Sequence, residues 1–130
     1  QTYRQALVAG LVPAGLTLPS DLFPRQRIVR IYDERILHIA ERHPDWALQC
    51  LLYMPVVLSD PDYLGYRPLQ DRRRVEFVRH VGADRHPLLV AVKFIDPLRE
   101  AWVSTAHPLA QCDLTRRLRA HTMQGVSRGP

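Results

Sequence analysis

Leu88-Leu89-Val90-Ala91-Val92-Lys93-Phe94-Ile95 is the stretch whose reading decides the fold. Apolar residues fill seven of its eight positions, and Pro87 and Asp96-Pro97 bound it, so it reads as a strand buried on both faces. The exception is Lys93, the single lysine of an arginine-rich chain. An ammonium held inside the most apolar strand carries a desolvation cost, which makes Lys93 the first candidate functional residue.

The flanking segments follow from their patterning. Arg74 to Val81 and Glu100 to Ala106 alternate as strands, a loop runs from Gly82 to Pro87, and a short turn covers Asp96 to Arg99, which gives an antiparallel meander with residues 88–95 in the middle. With Val81 facing Leu88 and Ile95 facing Glu100, Lys93 is expected level with Glu76 on one side and Trp102 on the other. One face then collects Val75, Phe77, Val81, Leu88, Val90, Val92, Phe94, Ala101 and Val103 as a core, with Arg79 its one misfit. The opposite face carries Arg74, Glu76, His80, Lys93, Trp102 and Ser104. Unbroken alternation puts Ser104, not Thr105, on that face.

At 130 residues the chain is read as one domain. A formal charge of +5 and a pI near 9.8 point to an anionic partner, nucleic acid ahead of a membrane, since no long apolar span stands out. The chain opens on Gln1 without a signal-peptide pattern and is read as a segment of a longer polypeptide.

Residues 1–27 hold Pro13, Gly15, Pro19 and Pro24 and no sustained period, so they are expected to be a linker or arm, with Tyr3 to Val12 able to form a short helix. The folded domain is expected over 28–122 and a flexible tail over 123–130. Within the domain, Ile28 to Tyr32 alternates as a strand and Asp33 is the expected N-cap of a helix to about Arg42. Ile36, Ile39 and Ala40 form its expected buried stripe. Arg35, His38 and Arg42 share another face suited to a phosphate. His43 before Pro44 should end this helix and cap a second, Pro44 to about Tyr53. Pro55 and Ser59-Asp60-Pro61-Asp62 break the chain before an edge strand at Tyr63 to Tyr66, a charged turn covers Asp71 to Arg74, and a last helix runs from Leu109 to about Ala120.

Paired cysteines and a His-Glu-x-x-His motif are both missing from the sequence, which leaves a metal or cofactor without a signature; Cys50 and Cys112 are read as free thiols. There is no glycine-rich phosphate loop and no Gly-x-Ser-x-Gly elbow. What remains matches metal-independent RNA cleavage, which needs a base for the 2′-hydroxyl, an acid for the leaving 5′-oxygen and cations for the charge on phosphorus. Lys93, supported by Arg74 or Arg42, is the candidate cation. His38 with Glu76 or His80 is the candidate acid/base pair, and Trp102, Tyr63 or Tyr66 would stack an unpaired base. The plainer readings are a Lys93–Glu76 ion pair across strands and a helix-capping His43.

Ile36-Leu37-His38-Ile39-Ala40-Glu41-Arg42-His43-Pro44-Asp45-Trp46, then Leu58-Ser59-Asp60-Pro61-Asp62-Tyr63, then Lys93 in one strand and Trp102-Val103-Ser104-Thr105 in the next, resemble the phage and polymorphic-toxin branch of the barnase–EndoU–colicin–RelE-like (BECR) ribonucleases over about residues 28–107. The resemblance implies an α+β fold with N-terminal helices packed on a four-stranded antiparallel sheet, no metal, RNA as substrate, and a cleft lined by His38, Lys93 and Ser104 or Thr105. Arg35, Arg42, His43, Arg74, Tyr63 and Trp102 would bind the substrate. The leading expectation is a monomeric endoribonuclease toxin domain delivered by a secretion system into a target cell. There it would cleave tRNA or another RNA to a 2′,3′-cyclic phosphate and be held in check by an acidic immunity protein. The alternatives are a non-catalytic nucleic-acid-binding module and an ADP-ribosyltransferase-type toxin.

Overall fold

A computed structural model describes residues 5–14, 26–66, 73–95 and 100–126. The turn expected over 96–99, Asp71 and Arg72 of the charged turn, and residues 127–130 of the expected tail lie outside the described residues.

The apolar run forms the long strand β5 (His86–Ile95), antiparallel to β4 (Arg74–Val81) on one side and to β6 (Glu100–Pro108) on the other. The meander is therefore as read, but its sheet is larger than four strands. Beyond β4 lie β3 (Tyr63–Tyr66) and the two-residue β7 (Gln124–Gly125). Beyond β6 lie β2 (Arg27–Tyr32), joined in parallel, and β1 (Ala6–Val12), antiparallel to β2. The seven-stranded mixed sheet has the order β1-β2-β6-β5-β4-β3-β7, and with its helices it makes an α+β fold.

Even-numbered residues of β5 point to one core and odd-numbered ones to another, which is why nearly the whole run is apolar. Leu88, Val90, Val92 and Phe94 join Val75, Phe77, Val81, Ala101 and Val103 beneath α1 (Asp33–Arg42) and α2 (Ala47–Ser59), with Ile39, Cys50, Met54, Val57 and Leu58 supplied by the helices. On the other face Leu89 and Ala91 meet Val78, Leu109, Leu114 and Met123 under α3 (Gln111–Arg119). Arg79, the misfit, reaches out of the core to Asp60, whose Oδ2 lies 2.8 Å from its guanidinium.

Several expectations are corrected. The segment read as an arm with a short helix contributes β1, whose Ala9 and Val12 are buried; a bulge between Val8 and Gly10 breaks the period-two pattern that would have marked a strand. A Cβ on Gly10 would come within 3.1 Å of Pro55 Cα and Leu58 Cδ1, so glycine lets α2 approach β1 closely. Pro55 sits inside α2 instead of ending it, because the helix buries apolar side chains on either side of the proline and tertiary packing outweighs one lost backbone hydrogen bond. Asp33 is the first residue of α1, and Tyr32 occupies the N-cap. The expected tail is tied down as far as Val126, whose N–H donates to the Asp62 carbonyl at 2.9 Å.

Lys93 itself is exposed, so its place in the strand carries no burial cost. It stands opposite Trp102, as expected, but opposite Arg74 and not Glu76, which pairs with Ala91. The hairpin closes at Val81 and His86, two residues earlier than assumed; a shift of two preserves the faces while moving every cross-strand neighbour.

Candidate active site

Helix α1 follows β2 without a connecting loop and lies against β6. Ile36 and Ile39 turn toward the core, Ala40, expected beside them, is exposed, and Arg35 and Arg42 are exposed with His38 half-buried. The helix ends at His43, whose N–H donates to the Ile39 carbonyl at 2.9 Å, and Pro44 follows. This places the His43 ring against His107 of β6, stacked with centroids 5.5 Å apart and planes 30° apart. Three residues on, Trp46 packs on His86 of β5 at 4.8 Å. The α1–α2 turn thus grips the sheet through two aromatic contacts.

The two imidazoles are not equivalent. Burial pushes the His43 pKa down from the ordinary value of 6.5, and His107, Arg42 and His38 push it further in that order. His107 Nδ1 lies 2.8 Å from the Pro108 carbonyl oxygen. A carbonyl only accepts, so Nδ1 carries the proton and Nε2 is the ring position left for proton exchange. His38, His43, His107 and Arg42 therefore form one electrostatically connected group.

Along the same strand lies a second group. Trp102 stacks on Tyr32 with centroids 4.1 Å apart and planes 6° apart, and its Nε1–H donates to Glu100 Oε2 at 2.7 Å. Lys93 stands beside Trp102, and Arg74 beside Lys93. The β6 register shifts between Val103 and Thr105, which leaves Ser104 as the extra residue and sets Thr105 opposite Ala91, on the face of Lys93. Ser104 is left without a partner on β5, and the expectation that Thr105 lies off this face is corrected by the bulge. Trp102, Thr105 and His107 then follow one another along one face of β6, about 15 Å from end to end at the usual rise of a strand.

Two candidates are drawn elsewhere. Glu76 is held by Arg117 of α3, whose Nη1 lies 3.0 Å from each carboxylate oxygen, with Arg74 at 3.8 Å. His80 belongs to a cavity at the β3 side of the sheet with Asp62 and Tyr63. Cys50 is a buried free thiol, pushed up to about 11 by burial, and Cys112 is free and exposed.

His107, Tyr32, Asp62 and Arg117 are the residues that pattern reading missed. One signal was present for the first: His43-Pro44, His86-Pro87 and His107-Pro108 repeat a dipeptide, and all three histidines meet the α1–α2 turn or its ring partners. Among the described residues, no three or more His, Cys, Asp or Glu side chains are grouped to hold a metal ion, and no helix is long and apolar enough to cross a membrane. Compared with protein families, curated proteins and solved structures, the chain gives no match.

Proposed function

We propose that the chain is an endoribonuclease domain of the BECR kind that cleaves RNA without a metal, and the observation that carries the proposal is the His43–His107 pair. One imidazole is kept neutral by its surroundings and the other has its tautomer set by a backbone carbonyl, which divides the roles of base and acid between them. His43 takes the proton of a 2′-hydroxyl as that oxygen attacks phosphorus. The bond from phosphorus to the 5′-oxygen breaks, and His107, protonated at Nε2, gives its proton to the leaving oxygen. Arg42 stands beside His43 to stabilise charge on the phosphoryl oxygens. Farther along β6, Tyr32 and Trp102 offer ring surface to an unpaired base, and Lys93 and Arg74 meet the phosphates of the same strand. His38 acts through His43, as a positioning and electrostatic neighbour.

This reading moves the acid/base pair from His38 with Glu76 or His80 to His43 with His107. Purified protein incubated with total RNA and EDTA should cleave it, and His43→Ala and His107→Ala should each slow cleavage by about 100-fold or more. Intact RNA with the parent protein overturns the proposal. The stacked Tyr32–Trp102 pair beside Lys93 favours a second reading, a nucleic-acid-binding module without catalysis, for which RNA is bound in a salt-dependent way and left whole. As a delivered toxin, the domain would be neutralised by an acidic protein covering this basic face.

A further inference from the structure

We infer that the cavity between β3, β4 and the β4–β5 turn is a second site, which binds a nucleoside monophosphate group through Arg85, His80 and Tyr63. Its volume is about 410 Å³, and Asp62, Tyr63, His80, Arg85 and Val126 line it. That volume lies within the range of about 300–1,000 Å³ found for small-molecule sites.

The walls are built, not incidental. Asp62 is fixed through its main chain, its N–H donating to the Val78 carbonyl at 2.8 Å and its carbonyl accepting from Val126 at 2.9 Å. Its carboxylate Oδ2 accepts the backbone N–H of His80 at 2.8 Å and lies 3.3 Å from His80 Nδ1. Nδ1 therefore faces an acceptor and carries the proton, which fixes the ring and turns Nε2 the other way, 3.4 Å from Gln111 Oε1. Tyr63 meets the same ring edge-on, with centroids 6.0 Å apart and planes at 68°.

Arg85 supplies the strongest pointer. It closes the β4–β5 turn with φ 52°, its N–H donating to the Gly82 carbonyl at 3.2 Å. Glycine adopts this left-handed conformation without strain and normally fills it in such hairpins. The chain places an arginine there, and backbone strain of this kind collects at functional positions. A guanidinium forks onto phosphate oxygens, the Tyr63 ring gives a base a surface, and His80 Nε2, left an acceptor by the proton on Nδ1, takes a hydrogen bond from a ribose hydroxyl. The site is separate from His43–His107: His80 pairs with Pro87 and His107 with Leu89, across β5, which sets them about 12 Å apart by strand spacing and rise. The inference does not rest on RNA cleavage.

The test is calorimetric titration of the whole chain with each nucleoside 5′-monophosphate, the matching nucleosides and inorganic phosphate. At least one monophosphate should bind saturably and about tenfold or more tighter than its nucleoside, and Arg85→Gly should weaken it about tenfold, as the loss of one charge-assisted contact does. Arg85→Gly relieves backbone strain, so the variant stays folded; His80→Gln should weaken binding as well. His43→Ala should bind as the parent does, whatever becomes of cleavage. Short 2′-deoxy oligonucleotides, which lack the attacking hydroxyl, separate the sources. Tighter binding of a 5′-phosphorylated oligonucleotide than of the same oligonucleotide without its 5′-phosphate, lost in Arg85→Gly, assigns the site to a strand end, and no such difference assigns it to a free nucleotide. Binding of no monophosphate, nucleosides binding as tightly, or an unchanged affinity in Arg85→Gly overturns the inference.

Discussion

His43 holds a neutral imidazole near neutral pH because burial, then His107, Arg42 and His38, all disfavour its charged form. A proton is bound near 6.5 in the unfolded chain but only at lower pH in the folded one, so stability falls as pH drops below 6.5 toward the folded value. His43→Gln should flatten that acid slope, which denaturant unfolding at a series of pH values measures. The midpoint of the acid limb of cleavage, set by the base, should lie below pH 6.5. Lys93 is exposed, and so Lys93→Ala should leave stability within about 0.5 kcal/mol while lowering RNA affinity and reducing the salt slope by about one. Lys93 was legible as a residue facing the site and misread as a buried one. Composition locates a charge in a strand, whereas exposure depends on what covers that strand.

Strand β6 carries Trp102, Thr105 and His107 of the candidate site, and its bulge brings Thr105 onto their face. With Thr105 in register with Ala91 on the face of Lys93, Thr105→Val should slow RNA cleavage by about tenfold or more, by single-turnover rates. An unchanged rate would count against a role for this hydroxyl. The alternation of β4 and β6 was readable because each buries a full face, and β5 because it buries two; the bulges in β1 and β6 were not, since an extra residue leaves no mark in composition. The early closure of the β4–β5 hairpin shifted cross-strand pairs by two residues and turned an expected Lys93–Glu76 pair into Lys93 beside Arg74, with Glu76 held by Arg117. Helix α1 was legible almost to the residue, while α2 ran through the proline expected to stop it.

For the molecule as a whole, the α+β class and the two-sided burial of β5 followed from the apolar run, and the extent of the sheet did not. Strand β7 is held by β3, and β2 pairs in parallel with β6 across most of the chain; such pairings between remote segments have no local signature. Removal of residues 1–12 should therefore destabilise the fold by at least about 3 kcal/mol, read as a lowered midpoint of thermal or denaturant unfolding, because Ala9 and Val12 leave the main core. A detachable arm would leave the midpoint unchanged. The basic surface then spans one sheet with two separate sets of groups: imidazoles at the α1–α2 turn and an Asp62–His80–Arg85 cavity on the far side of β5. The most direct measurement is phosphorus NMR of the products formed from a short RNA by the parent protein in EDTA. A 2′,3′-cyclic phosphate should appear with the parent and be nearly absent with His43→Ala or His107→Ala. RNA left whole, linear phosphate ends formed without a cyclic precursor, or a cyclic product formed as fast by both variants would contradict the account.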